Sequence, residues 1–278
     1  MFRGRKLLIA TKHRKESVIA PLLEEGLGVS CVVAEQFDTD LLGTFTGEVE
    51  REAAPVTTAR RKCEMALELY GFDLAVASEG SFGPHPVLGF VPVEEEFLLL
   101  LDRKNGLETV VRELSLETNF AGEAVDTEEQ LLAFASEVKF PSHALVLRPA
   151  KHSAAGITKG ITGKAHLLAV FRRLQRRHGQ VYAETDMRAM YNPSRMSVIR
   201  QATEKLVAKA SSCCPACHTP GFGVASVKRG LPCGACGFPS RAVLSEFLAC
   251  HKCGHTLERK YPNSTKVEDP AYCQLCNP

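Results

Sequence analysis

Apolar residues along the first two hundred positions alternate between the period of a strand and the period of a helix. Residues 7–10 and 29–34 predict buried strands, and residues 15–25 predict a helix closed by Gly26. Asn105-Gly106 separates two further apolar runs and predicts a hairpin turn. Strands are also predicted at residues 73–77, 97–101, 109–114, 144–147 and 181–183, and helices at 56–70, 128–138, 165–177 and 193–209. This alternation predicts an α/β fold in which helices cover a mixed sheet.

Cysteine usage changes abruptly near residue 212. Only Cys31 and Cys63 precede this point, and the other nine of the eleven cysteines follow it. Eight of the nine form four Cys-x-x-Cys pairs, a spacing that lets two thiolates of a pair bind one tetrahedral ion. The pairs are Cys214 and Cys217, Cys233 and Cys236, Cys250 and Cys253, and Cys273 and Cys276. We therefore predict an α/β domain at residues 1–208 and a zinc-ribbon module at residues 209–278 with two structural zinc ions.

Two pairings of these motifs are compatible with the spacing. In the sequential pairing, the first two motifs bind one ion and the last two bind the other. In the cross-braced pairing, the first motif shares an ion with the third and the second with the fourth. We favour the sequential pairing because each half would then be a self-sufficient ribbon. Cys213 is interpreted as a spectator, or as a replacement for Cys214 if the register slips.

Composition places the chain among ordinary globular proteins. Of 278 residues, 45% are hydrophobic and 24% charged, and the net charge of +2 gives no argument for a nucleic-acid partner. The apolar runs are too short to cross a membrane. The N-terminal run ends at Ala10, so it is shorter than the apolar stretch of an export signal. We expect a cytoplasmic protein whose cysteines are metal ligands or core residues and not disulfides.

Polar motifs follow the first two predicted strands. Lys12, His13 and Lys15 lead from the first strand into a helix, where a phosphate group can bind; an ordinary basic turn is the alternative. Asp38 and Asp40 follow the second strand and can ligate Mg²⁺ through oxygen; an acidic loop with capping roles is the alternative. Ligands of open α/β sheets bind at this edge, beyond the carboxyl ends of the strands.

A glycine- and proline-rich segment at residues 78–86 follows the third predicted strand. It predicts an irregular loop in which Glu79 is a base or metal ligand and His85 binds ligand or transfers a proton. A purely structural loop is the alternative.

Carboxylates and arginines interleave at residues 184–196, between a predicted strand and the last helix. Arg188 or Arg195 can clamp an anion beside Glu184 and Asp186; a structural ion-pair network is the alternative.

These motifs resemble those of an uncharacterised bacterial family known only as a domain of unknown function, here with a C-terminal double zinc ribbon. The resemblance implies no established activity. It rests on Ala10-Thr11-Lys12-His13 with Lys15-Glu16, on Asp38-Thr39-Asp40 with residues 43–48, on residues 77–86, on residues 184–189 with 192–196, and on the terminal Cys276-Asn277-Pro278.

A second similarity is to inosine/xanthosine triphosphate pyrophosphatases. Those enzymes begin with a strand, an Ala-Thr-x-Asn-x-x-Lys turn and a helix, and later show an Ala-rich helix, a strand and a Glu-Gly loop. Ala10-Thr11 fits the first motif, with His13 in place of the asparagine and the lysine displaced to Lys12 or Lys15. Residues 56–80 fit the second, and the resemblance implies that Glu79 is the acidic residue.

Two functions therefore compete. The first is a magnesium-dependent nucleotide pyrophosphohydrolase that acts on a phosphate-bearing small molecule. The second is a non-enzymatic adaptor whose zinc module binds nucleic acid or a protein. From residue 205 onward the chain has nine lysines and arginines and four acidic residues. This excess can bind nucleic acid, but we favour a solvated, mildly basic surface.

Overall fold

A computed structural model describes residues 1–34, 54–85 and 89–278. Phe2–Val207 and Ala208–Pro278 form two compact units, each described by itself below. The predicted magnesium ligands Asp38 and Asp40 lie outside the described residues. Within these ranges, every helix is too short or too polar to cross a membrane.

The described residues of the N-terminal unit form two sheets and five helices, the last of which continues into the other unit. The strands are β1 (Lys6–Ile9), β2 (Ser30–Val33), β3 (Leu74–Pro84), β4 (Pro92–Asp102), β5 (Leu107–Ser115), β6 (Gly122–Val125), β7 (Leu145–Arg148), β8 (Thr158–Ile161) and β9 (Val181–Thr185). The helices are α1 (Glu16–Leu27), α2 (Pro55–Tyr70), α3 (Glu128–Glu137), α4 (Lys164–His178) and α5 (Pro193–Ser211). The predicted mixed α/β class is confirmed, although one sheet was expected in this unit and its described residues form two.

The first sheet has the strand order β2-β1-β3-β4-β5 and positions the candidate site. β1 runs parallel to β2 and β3, whereas β3, β4 and β5 form antiparallel hairpins. Asn105-Gly106 makes the β4–β5 turn as predicted, with Gly106 at φ 62°. One face of the sheet packs on the apolar side of α2, including Ala59, Cys63 and Leu67.

β3 is longer than the sequence indicates, and the predicted irregular loop after residue 77 is wrong. Residues Ser78 to Pro84 continue the strand and pair in register with β4, so their backbone groups are satisfied by the ladder. Gly80 is needed inside this strand because a Cβ there would lie 2.5 Å from the Arg195 Nη2 atom and 2.6 Å from the Glu96 Oε2 atom. The glycine therefore indicates a close approach of side chains and not a turn.

The second sheet is antiparallel, with the order β6-β9-β7-β8. Apolar residues of α3 and α4, among them Leu131, Phe134, Leu167 and Phe171, form a core with the strands. α1 also differs from prediction: it passes through Gly26 and is capped by Gly28, whose φ of 67° is left-handed.

The C-terminal unit is a three-stranded antiparallel sheet of β10 (Gly223–Arg229), β11 (Val243–Ala249) and β12 (Thr256–Lys260), with Cys-x-x-Cys turns before, between and after the strands. Its hydrophobic cluster consists of Cys214, Phe222 and Cys250, with Cys217 and Leu248 packed against them. So small a core, mostly of cysteine, does not explain the order of about seventy residues without a further stabilising element.

Candidate functional site

The eight cysteines of the four motifs form two tetrads. Within each tetrad the sulfur atoms all lie within 4.8 Å of one another. One tetrad is Cys214, Cys217, Cys250 and Cys253, and the other is Cys233, Cys236, Cys273 and Cys276.

The sulfur spacing in both tetrads matches tetrahedral metal coordination. Pairs from opposite motifs are 3.6 to 3.8 Å apart, as in Cys217 to Cys250 and Cys233 to Cys276. A tetrahedron with metal–sulfur bonds of ~2.3 Å has edges of ~3.8 Å, whereas a disulfide would hold its sulfurs ~2.05 Å apart. All eleven cysteines are free of disulfides. The donor set therefore fits a four-coordinate, thiophilic metal ion.

Each Cys-x-x-Cys motif is closed by the same backbone turn. The amide of the residue four positions after the first cysteine donates to that cysteine's carbonyl, with N–O distances of 2.8 to 3.0 Å. Gly237 and Gly254 occupy this position with φ near 72°, as their placement after the motifs predicts. His218 occupies it in the first motif with φ 57°. His218 is thus a turn residue, and the cysteine tetrads contain no histidine within the described chain.

The sequential pairing of the motifs is wrong, and the cross-braced pairing is observed. Each strand between two motifs carries the chain from one end of the sheet to the other, because seven extended residues span ~23 Å. β10 and β11 run antiparallel, with Gly223 opposite Ala249, so the first and third motifs meet at one end. The second and fourth meet at the other, where Cys233 bridges to Glu268.

A second cluster of chemically active side chains lies in the N-terminal unit. We call it the buried charge cluster; it comprises Lys15, Lys62, Glu79, Glu94, Glu96 and Arg195. Every member is at most 8% exposed. Three basic and three acidic groups are therefore removed from water together, at a desolvation cost of several kcal/mol per ion before pairing offsets it. Such a cluster is a stronger indication of function than of stability.

Lys15 enters the cluster from the loop after β1, as the residue that precedes α1. Its Nζ atom donates to Ser78 Oγ at 2.8 Å and to Glu96 Oε1 at 3.0 Å. Burial lowers the pKa of Lys15 to about 8, against the opposing effect of the Glu96 charge. Within the motif that was predicted to bind phosphate, the Lys15 side chain therefore points into the protein and contacts the Glu96 carboxylate.

Arg195 enters from the first turn of α5 and is fully enclosed. Asn192 accepts a hydrogen bond from its backbone amide at 3.0 Å. The guanidinium donates to the Met187 carbonyl and to Glu96 Oε2, the latter at 3.2 Å, and lies over the Phe82 ring at 5.3 Å. Arg195 therefore contacts Glu96, Met187 and Phe82 inside the protein.

The carboxylates of the cluster lie on opposite faces of the first sheet. Glu79 points to the face covered by α2 and forms an ion pair with Lys62. Glu94 and Glu96, two residues apart on β4, share the other face with Ser78. Burial raises the pKa of Glu96, but the charges of Lys15 and Arg195 outweigh it, and the net pKa lies below the ordinary value.

Glu94 differs from the other members in its hydrogen bonding. Neither of its carboxylate oxygens has a hydrogen-bond partner in the described part of the chain, although the residue is 0% exposed. Its nearest cation, Arg195 Nε, lies 3.9 Å from Oε1, beyond hydrogen-bond distance. Burial raises the pKa of Glu94 to about 7, against the opposing charge of Arg195.

The remaining predicted residues lie in two further groups. Arg188 holds Asp186 through its side chain, with Nη2 2.6 Å from Oδ2, and Asp186 also accepts from the Gly160 amide. Glu184 pairs with Arg148. Arg195 contacts this segment through the carbonyl of Met187, which lies between Asp186 and Arg188 in sequence.

Three predicted residues occupy connecting segments. Lys12 and His13 lie in the half-buried loop between β1 and α1, where His13 and Arg14 have left-handed φ values of 67° and 60°. The backbone amide of His85 donates to Val91 at the β3–β4 turn. The structure therefore brings Lys15 and Arg195 together on Glu96, places Glu79 with Lys62 on the other face of the sheet, and pairs Asp186 with Arg188.

Sequence reasoning missed Lys62, Glu94 and Glu96. In the sequence, Lys62 resembles the solvent-exposed charged residues of an amphipathic helix. The Glu94-Glu95-Glu96 run looks like a solvated acidic segment, but it directly precedes the apolar run of β4. Continuing the two-residue period of that strand would have placed Glu94 and Glu96 on its buried face, which was the available signal.

Fold and cysteine geometry together define a class: a mixed α/β protein with a C-terminal module built on two interleaved four-cysteine sites. The chain belongs to the family described as Domain of unknown function (DUF6671), whose family model matches residues 62–278. The expectation of a domain-of-unknown-function family is confirmed. No curated protein matches the chain.

Proposed function

We propose that the N-terminal unit hydrolyses a phosphoanhydride bond of a nucleotide-like substrate with the help of Mg²⁺. One observation supports this above others: Lys15 and Arg195 come from two separate polar motifs, yet both donate to the buried Glu96, two residues from the buried Glu94. Phosphoryl transfer needs positioned positive charge and a carboxylate that can manage a proton, and the cluster combines both.

The loop between β1 and α1 is the proposed phosphate-binding segment. Lys15 fixes its inner end on Glu96 and Ser78, and Lys12 and His13 are half-buried residues of the same loop. A phosphate held there would lie close to the buried carboxylates. Asp186 and Arg188 are assigned to support of the Met187 carbonyl that holds Arg195, and Glu184 to the ion pair with Arg148.

Mg²⁺ would neutralise the phosphate charges when it is bound. Glu79 offers a carboxylate, the kind of hard oxygen donor that this ion prefers. Asp38 and Asp40 remain the proposed additional ligands, and His85 remains a proposed ligand-binding or proton-transferring group.

The proposal predicts magnesium-dependent turnover by the purified full chain. The assay is release of phosphate or pyrophosphate from a panel of nucleoside triphosphates, including inosine and xanthosine triphosphates, with and without Mg²⁺.

Glu79→Gln should lower turnover at least tenfold. It should also lower stability by roughly 1–3 kcal/mol, because it leaves Lys62 buried without its counter-charge. Lys104→Gln, in the β4–β5 turn, is the control and should match the parent chain. Absence of turnover across the panel would contradict the proposal.

For the C-terminal unit, we infer that the metal is zinc, one ion per tetrad, with a structural role. Four thiolates leave no open coordination position for a substrate, and all-cysteine tetrahedral sites are typical of structural zinc. The sulfur spacing supports this identity.

A non-enzymatic adaptor function is the second candidate, and one observation favours it. Apolar side chains around the second tetrad are exposed, among them Val267, Tyr272 and Leu275 at 55%, 71% and 61%. Exposed apolar residues grouped around a rigid metal site are suited to a protein or nucleic-acid partner. Salt-sensitive nucleic-acid binding that requires the tetrads, together with no turnover in the panel above, would support this candidate over the hydrolase.

A further inference from the structure

The Glu94 carboxylate stands out because neither of its oxygens accepts a hydrogen bond from the described residues, and its ion pair with Arg195 is long at 3.9 Å. An enclosed carboxylate without a hydrogen bond is costly to the fold, so it needs an explanation other than stability. The explanation is not a shortage of donors nearby, because Lys15 and Arg195 both donate to Glu96, two residues away on the same face. These donors bond to Glu96 and to the Met187 carbonyl, and no described residue donates a hydrogen bond to either oxygen of Glu94.

The strand geometry makes this arrangement specific to position 94. Glu94 lies directly opposite Phe82 of β3 and Ser115 of β5, so neither cross-strand neighbour brings a charge. Phe82 also contacts the Phe120 ring at 5.6 Å between centroids. Among the described residues, the charged groups that face Glu94 are Arg195 from α5, Glu96 from β4 and Lys15 from the residue before α1. Burial outweighs these charges and raises the pKa of Glu94 to about 7, so the carboxylate can take up and release a proton near neutral pH.

We propose that Glu94 is the general base of the hydrolysis, a role that rests on the proposed function and adds its catalytic carboxylate. Glu94 accepts one proton from a water molecule as the water oxygen forms its bond to phosphorus. The phosphoanhydride P–O bond breaks, and its electron pair stays on the departing phosphate oxygen. The proton on Glu94 then passes to the departing phosphate or to solvent, which restores the carboxylate. Glu96 takes no proton, because Lys15 and Arg195 hold it ionised.

The neighbouring residue supplies a matched control. Glu95 carries the same side chain one position along β4, so it points to the opposite face, where it pairs with Arg112. Glu94→Gln and Glu95→Gln therefore make the same chemical change on the two faces of one strand.

The test is steady-state hydrolysis of the best nucleoside triphosphate by the full chain and by both variants, as a function of pH and Mg²⁺. Glu94→Gln should lower kcat at least 100-fold and leave KM and the half-saturating Mg²⁺ concentration within threefold. In the parent chain kcat/KM should fall tenfold per pH unit below about pH 7, and the residual activity of Glu94→Gln should lose that dependence. Glu95→Gln should match the parent chain in all these measurements.

The outcomes separate the inference from the proposed function. Turnover by the parent chain together with a Glu94→Gln kcat within threefold of it overturns the base assignment and leaves the hydrolase proposal standing. A tenfold or larger rise in the Mg²⁺ requirement of Glu94→Gln also overturns it, because Glu94 would then be a metal ligand. No turnover by the parent chain overturns both. Urea unfolding of each variant verifies that losses of kcat are not losses of structure.

Discussion

Chelation of the metal is expected to unfold residues 208–278. Binding of a structural zinc ion contributes roughly 10–16 kcal/mol, most of which is folding free energy in modules of this size. The hydrophobic cluster of this unit is built around the ligands Cys214 and Cys250 themselves, so little order remains once the ions are removed. Hydrogen exchange of β10, β11 and β12 should rise to the rate of an unfolded chain in the presence of a strong chelator, and return when Zn²⁺ is restored.

The N-terminal unit provides the internal control for this experiment. The two cores described for it, one around α2 and one around α3 and α4, contain no member of the tetrads. Exchange of β3 and β7 should therefore stay slow under the same chelation. Slow exchange in β11 after elemental analysis has shown that the metal is gone would contradict the account of this unit.

Replacement of Glu94 by glutamine is expected to become more favourable to stability by roughly 2–3 kcal/mol between pH 5 and pH 8. Burial raises the pKa of Glu94 from its ordinary 4.5 to about 7, and a tenfold change in proton affinity corresponds to ~1.4 kcal/mol. Above pH 7 the native protein must hold this carboxylate ionised without a hydrogen bond, whereas the unfolded chain ionises it in water. A neutral amide removes that difference.

The sign of the pH dependence follows from the raised pKa of Glu94. Between pH 4.5 and 7 the native state keeps the Glu94 proton that the unfolded state has released. The contribution of Glu94 to stability therefore falls as pH rises through this window and is constant above it. Lys15, whose pKa is lowered to about 8, changes its contribution only at higher pH.

Urea unfolding of the N-terminal unit at pH 5 and pH 8 measures this effect, with the metal kept bound. Glu94→Gln should gain stability over the parent chain at pH 8 and show little difference at pH 5, while Glu95→Gln should show no gain at either pH. A Glu94→Gln protein less stable than the parent at pH 8 would mean that the carboxylate is satisfied by a partner. A gain would identify Glu94 as a residue retained at the expense of stability, as at catalytic sites.

Short sequence patterns predicted the features of this protein that depend on residues close together in the chain. The β4–β5 hairpin followed from Asn105-Gly106, and the cysteine ligands followed from their two-residue spacing. β3 was cut short at residue 77 because glycines and prolines suggested a loop, whereas the ladder with β4 holds them in an extended strand. Helix α1 was closed two residues early at Gly26 for a similar reason.

The candidate site depended on contacts between distant parts of the chain, which local patterns do not contain. Lys15 and Arg195 hydrogen-bond to the buried Glu96, although they lie 81 and 99 residues away from it in sequence. Within a few residues of Glu96, only the alternation of the strand separates it from Glu95, which is partly exposed. The pairing of the cysteine motifs failed for the same reason, since the strands between them decide which motifs meet.

Metal analysis of paired cysteine variants tests the interleaved sites most directly. A chain carrying both Cys214→Ser and Cys250→Ser changes two ligands of one tetrad, so it should lose one metal equivalent and retain the other at Cys233, Cys236, Cys273 and Cys276. A chain carrying Cys214→Ser and Cys233→Ser changes one ligand in each tetrad and should weaken both sites. The reverse pattern, with both ions weakened in the first chain and one retained in the second, would contradict the cross-braced arrangement.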